Sequence, residues 1–424
     1  MDAWMNWGTR WLHPAAALPT AQWALLLAVA TVVGYLVQRH SGLPKVVGYT
    51  LVGTVVGLLG FGGAVWPLQG AGLFLMELAV AVVLFECGGR LPMRWFRHNP
   101  MVLVQSIAES VLTYVAVYWA MRALAVPTHA AGPLALVAVA ASPTVLMRVV
   151  SDTRASGAVT ERAIVLCTLS SLYVLTLGAA QAELLTQPAA DWVRALGSVA
   201  RVLGASLALG ALLALVLRLA LRAMSPLSEN TAILVLALIA LATALAAPLG
   251  GSAPLAALIG GMLLKQIHPR PWAWPRQASS ARALLAILMF VLVSTVAAQG
   301  EWSPAVAASV LALVAVRLVA KAIGVGLANA GSGASWRQAV WLSGALTPMS
   351  AVALLVTSGF MATSQETGAL IARIALPAIL LMEVLGAVIA TLAVYAAGES
   401  IKPWAPQMRL RAGAQEEAAD EESP

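Results

Sequence analysis

Long apolar stretches, separated at short intervals by one or two charged residues, run through nearly the whole chain. About thirteen of them have the ~17–25 residues needed to cross ~30 Å of hydrocarbon as a helix. They lie at 20–38, 43–61, 72–89, 100–125, 131–150, 159–182, 196–220, 229–247, 250–266, 282–299, 304–329, 337–360 and 366–396. The pattern predicts an all-α integral membrane protein, because a spanning segment must satisfy its own backbone hydrogen bonds. The eighth and ninth stretches are divided only by Pro248, Gly250 and Gly251. The first could be read as a secretory signal with Ala28-Val29-Ala30 as its cleavage site. It is preceded by one Arg and one Asp rather than a basic region, and the apolar run continues to Arg39. It reads as a retained helix, with Trp4, Trp7, Trp11 and Trp23 as interfacial anchors.

Composition agrees: 60% of residues are hydrophobic, only 10% are charged, and the mean hydropathy is +0.86. A soluble domain carries about 25% charged residues. The net charge of +7 would raise the question of nucleic acid in a soluble chain, but no basic run with interleaved aromatics is present. The basic residues instead sort by side. With the N-terminus outside, 18 of the 25 fall in cytoplasmic connections, including Lys45, Arg90, Arg148, Arg162 and Arg282, against four opposite, Arg10, Arg122, Arg194 and Arg201. This asymmetry predicts an N-out, C-in protein of a bacterial cytoplasmic (inner) membrane, with the lipid bilayer and no nucleic acid as partner. The expected organisation is an extracytoplasmic segment at 1–19, a transmembrane domain at 20–397 and an acidic cytoplasmic tail at 398–424. Two cysteines, Cys87 and Cys167, and five scattered histidines offer no disulfide framework or metal cluster. With no catalytic or nucleotide fingerprint in the chain, neither an enzyme nor a cofactor is expected.

Two apolar segments carry a proline with hydroxyls near their middle: Ser142-Pro143-Thr144 and Thr347-Pro348-Met349-Ser350. Proline frees backbone carbonyls, which are tolerated at membrane depth only against protein or a wet cavity. Each lies in the fourth of five consecutive segments, in units at about 43–182 and 250–396 that start on opposite sides. Matching breaks in inverted units point to a secondary transporter with a midplane site. Intramembrane charge adds a second set of candidates. Arg317 and Lys321 share a helix face four residues apart, and Glu109 and Glu383 are also deep. Glu77 shares the third segment with Glu86; Glu86 and Arg373 lie near segment ends and can snorkel.

Several motifs appear in order over most of the chain. Leu43-Pro44-Lys45-Val46-Val47-Gly48-Tyr49 with Gly53 and Gly57, Glu77-Leu78 with Leu84-Phe85-Glu86-Cys87-Gly88-Gly89, Ser142-Pro143 with Arg148 to Val150, Gly251-Ser252 with Gly260-Gly261, and Glu383 with Ala397-Gly398-Glu399 resemble the monovalent cation:proton antiporter superfamily. The resemblance is to the sodium/hydrogen exchanger membrane domain. It implies thirteen helices in two inverted five-helix repeats, crossing broken helices, a transported monovalent cation and proton, and a homodimer through the first and eighth segments.

One departure bears on the chemistry. Where the family carries an acidic residue pair, or an amide-acid pair, this chain has Ser170 and Ser171. A serine cannot carry the exchanged proton near neutrality. Without an acidic partner, Lys321, at the family's basic position, is expected to place uncompensated positive charge beside the site. The expected function is exchange of Na⁺ or K⁺ for protons, with Ser142, Pro143, Thr144, Ser170, Ser171, Thr347, Pro348 and Ser350 at the site. Arg317, Lys321, Glu109 and Glu383 are the candidates for charge or proton coupling. The same residues leave open transport of an anionic or organic solute, favoured by Lys321, or a degenerate subunit that transports nothing.

Overall fold

A computed structural model describes residues 18–60, 66–91, 96, 99–186, 192–225, 228–268 and 276–400. The tryptophans at 4, 7 and 11, the N-terminal segment up to residue 17 and the acidic tail from residue 401 lie outside the described residues. Fifteen helices are described. They are α1 (Leu18–Ser41), α2 (Lys45–Leu58), α3 (Gly70–Gly89), α4 (Pro100–Ala123), α5 (Thr128–Val139), α6 (Pro143–Thr153), α7 (Ala158–Thr186), α8 (Trp192–Ala223), α9 (Glu229–Ala246), α10 (Ala253–Ile267), α11 (Arg276–Ala297), α12 (Pro304–Leu327), α13 (Trp336–Ala345), α14 (Ala351–Thr363) and α15 (Gln365–Ala396). Among the described residues there is no strand.

The fifth and twelfth apolar segments each fold as two half-helices, and the remaining eleven as one helix apiece. Pro143 occupies the first turn of α6, where its missing N–H costs nothing, and the Ser142 hydroxyl accepts from Val145 N. Pro348 sits in the non-helical stretch between α13 and α14. The break between the eighth and ninth segments falls where expected: Gly250 takes φ +73°, a left-handed turn conformation open to glycine at no steric cost.

The helices α2–α7 and α10–α15 repeat one order: a short helix, two full-length helices, a broken pair and a long helix. The packing exchanges the two units. The first helix of each lies against the second of the other, as α2 on α11 and α10 on α3. The third helices, α4 and α12, pack on each other. Likewise α7 meets α13 and α14 while α15 meets α5 and α6. These reciprocal contacts are those of two inverted repeats about one pseudo-two-fold axis, which places both helix breaks at the molecule's centre.

Burial follows the same plan. The half-helix α5 is the most enclosed element, with residues 130–146 buried throughout, whereas α13 leaves Trp336 and Val340 exposed. Helices α1 and α8 keep large apolar side chains such as Leu25, Val32, Leu212 and Leu219 exposed. In water such a surface would mark an interaction site; in a bilayer it can meet lipid or another helix.

Candidate functional site

The two interrupted chains meet directly, with Ser142 N donating to Pro348 O at 2.8 Å. Each break leaves carbonyls at the C-terminal end of its first half-helix, and a buried arginine collects them. Arg317 donates from Nε to Ala138 O (2.8 Å), from Nη1 to Thr347 O (2.5 Å), and from Nη2 to Ala140 O (2.8 Å) and, more weakly, Pro348 O (3.4 Å). One guanidinium thus ties the two breaks together. Cationic donors belong at helix C-termini, where the backbone dipole ends negative.

Lys321, one turn further along α12, donates to Val139 O at 3.1 Å and is ion-paired with Glu109 of α4. The other Glu109 oxygen accepts from Ser110 Oγ at 3.0 Å. Lysine and glutamate are both fully enclosed. The backbones of α4 and α12 close tightly here, because Gly324 leaves no room for a Cβ, which would stand 2.5 Å from Glu109 Cα. The expectation of an unpaired Lys321 is therefore corrected. Its partner comes from α4 rather than α7, and the helix pairing that supplies it is a tertiary feature.

Ser170 and Ser171 meet the same break from α7. Ser170 Oγ accepts from Ala141 N (3.2 Å) and donates to Cys167 O (2.9 Å). Ser171 Oγ reaches Cys167 O at 2.9 Å and Ala141 O at 3.3 Å. Both hydroxyls bond backbone, and at Ala141 they engage the N–H and C=O freed at the first break. Ser142 and Thr144 hydroxyls bond each other at 2.8 Å. Across the pseudo-two-fold, Thr347 Oγ1 donates to Gly344 O (2.8 Å) and reaches Gly386 O at 3.4 Å. A Cβ on Gly386 would stand 2.5 Å from Pro348 Cα, so α15 lies flush against the second break.

Glu383 stands one turn from Gly386, entirely buried. Its Oε1 accepts from Ser350 Oγ, the residue preceding α14, at 2.8 Å. Its Oε2 has no hydrogen-bond partner. The Thr50 hydroxyl, brought in by α2, stands beside the same carboxylate.

The eight residues expected at the site and the four charge-coupling candidates therefore gather around one crossing. Thr50 was not among them. A lone threonine in an apolar helix has no distinguishing signal, and only its place after Gly48-Tyr49 draws the eye. Arg148 lies in α6, within the fifth apolar segment. There it donates to Tyr49 Oη at 3.0 Å and lies 3.4 Å from Asp152, whose carboxylate also accepts from Lys45 N at 3.1 Å. Glu86, near its helix end as expected, is ion-paired with Arg90 and Arg282.

Comparison with known proteins agrees with this architecture. The structure is similar to the sodium proton antiporter MjNhaP1 from Methanocaldococcus jannaschii at pH 8, with TM-score 0.67, 14% identity, and 90% of this chain and 98% of that one covered. It is similar also to an electron-microscopy structure of MjNhaP1, with TM-score 0.68, 16% identity and coverage of 91% and 97%. At such identities the likeness shows the fold. A search among curated proteins finds no match. A family model described as sodium/hydrogen exchanger, transmembrane, matches residues 27–398, and the chain belongs to that family.

Proposed function

We propose that this protein exchanges a monovalent cation, Na⁺ or K⁺, for protons across the membrane. Family membership supports the class of reaction. The observation that carries the sign of the transported charge is the pairing of the buried bases. Arg317 is held by four carbonyls, and Lys321 by Glu109 and Val139 O. The remaining buried charge at the crossing, Glu383, is acidic and has no basic partner. The argument for an anionic solute required a free Lys321, and that premise is gone. Burying an unpaired carboxylate is costly, so the site calls for a positive charge or a proton.

Purified protein in proteoliposomes, loaded with a pH-sensitive dye and energised by a proton gradient, should show dequenching when Na⁺ or K⁺ is added. Silence toward Na⁺, K⁺ and Li⁺ between about pH 6 and about pH 9 would remove the exchange reading in favour of a subunit that transports nothing. We also propose the homodimer that the family resemblance implies, through α1 and α9. Single cysteines on the exposed faces at Leu25 and Leu241 should cross-link between copies, and their failure to do so would point to another surface.

A further inference from the structure

We infer that Glu383, Ser350 and Thr50 form the binding site for one dehydrated monovalent cation, and that a proton on Glu383 displaces it. This deepens the exchange reading, on which it rests, by assigning the exchanged charge to α15 rather than to the α7 positions held by Ser170 and Ser171. Glu383 and Thr50 are 0% exposed and Ser350 is 1% exposed. Yet Glu383 Oε2 and Thr50 Oγ1 are both without hydrogen bonds. Buried polar atoms in native proteins almost always have partners. An open carboxylate oxygen with an open hydroxyl beside it marks a place where a small ligand can complete the coordination.

The chemistry of the three groups identifies that ligand. All offer oxygen, the donor for hard cations, and none offers sulfur or nitrogen. They carry a single negative charge, which neutralises a monovalent cation and leaves a divalent one uncompensated. Ser350 donates its proton to Oε1, so its lone pairs stay free. Thr50 adds a hydroxyl oxygen. Loading is charge-neutral in both directions: the carboxylic acid releases H⁺ to water as M⁺ binds the carboxylate, and the reverse step restores the O–H bond. Both loaded states leave Glu383 neutral in its low-dielectric surroundings, whereas the unloaded carboxylate is penalised. That penalty on the unloaded state is what couples the two ions.

Position supports the assignment. Ser170 and Ser171 support the first break from α7, and Gly386 abuts the second from α15. Glu383, one turn from Gly386, therefore stands by the second break much as the serines stand by the first. The carboxylate that the first repeat lacks is supplied by its two-fold relative. Thr50 belongs to one repeat, and Ser350 and Glu383 to the other. Relative motion of α2 against α14 and α15 would dismantle the coordination shell, as release requires.

The test compares wild type with Glu383→Gln and Thr50→Val, as full-length protein in proteoliposomes and in detergent. In wild type, the apparent KM for the cation should fall as pH rises, because protons compete for the same oxygens. Added cation should raise the melting temperature. Glu383→Gln, eluting as a monodisperse species, should lose exchange by about a hundredfold or more and lose the cation-induced shift. Thr50→Val should raise KM about tenfold with kcat nearly kept. A folded Glu383→Gln with wild-type exchange and stabilisation would overturn the site while leaving the exchange reading intact. If Glu383→Gln does not fold, an unchanged KM in Thr50→Val overturns it instead. If wild type shows no exchange, the exchange reading falls. The site then stands or falls on whether cation stabilises wild type and not Glu383→Gln.

Discussion

Replacing Lys321 with methionine removes a buried ammonium and keeps most of its volume. Glu109 is then left as a lone carboxylate, with only the Ser110 hydroxyl at 3.0 Å. Breaking one partner of a buried ion pair costs about 3–5 kcal/mol, chiefly as the penalty on the surviving charge. Glu109→Met should cost a similar amount by stranding Lys321, which would keep only Val139 O at 3.1 Å. Replacing both, as Lys321→Met with Glu109→Met, removes both charges together. What remains is one orphaned carbonyl, Val139 O, worth about 1–3 kcal/mol, because the Ser110 hydroxyl can turn back to a carbonyl of its own helix. Against single-variant costs that add to roughly 6–10 kcal/mol, the coupling energy should be at least about 3 kcal/mol. Unfolding free energies from titration with a denaturing detergent in mixed micelles give all the values needed. A coupling energy below about 0.5 kcal/mol would refute the ion pair. A double variant as unstable as the two single costs added would do the same.

The close approach of α15 to the second break predicts that Gly386→Ala is poorly tolerated. Its Cβ would stand 2.5 Å from Pro348 Cα, and forcing the helix outward should lower stability by about 1–3 kcal/mol and raise the apparent KM. A Gly386→Ala variant with wild-type melting temperature and KM would show that the break is not clamped. Glu399 makes a second, peripheral prediction. Its carboxylate accepts from Val159 N and Thr160 N, both at 2.7 Å, capping the first turn of α7 from beyond the end of α15. Glu399→Ala should cost about 0.5–2 kcal/mol as a lost N-cap. Hydrogen exchange at the start of α7 should accelerate while the crossing stays protected, and unchanged exchange there would refute the cap.

Much of the fold was legible because hydrocarbon is an unforgiving solvent. A chain that must satisfy every backbone group internally announces each span as an apolar run, and Ser142-Pro143 and Thr347-Pro348 announce where that rule is broken. The inverted repeat was readable too, since it needed only the order of segments and the places of the two breaks. Arg317, Lys321, Glu109 and Glu383 stood out by cost alone.

Which of those charges face one another was not legible, because that depends on how helices far apart in sequence are laid together. Glu109 and Lys321 are separated by 212 residues and meet because α4 and α12 pack on each other, close enough at Gly324 to exclude a Cβ. From the sequence alone Lys321 looked unpaired and suggested an anion. Ser170 and Ser171 were legible as residues of the site, but their hydrogen bonds to Ala141 across the first break were not. Thr50 could not be found without α2 standing against α15. The sequence by itself determined the solvent, the spans, the repeat and the inventory of buried charge. Only the tertiary structure decided which charges cancel, and so which carboxylate is left without a basic partner: buried charge is governed by its nearest neighbours in space.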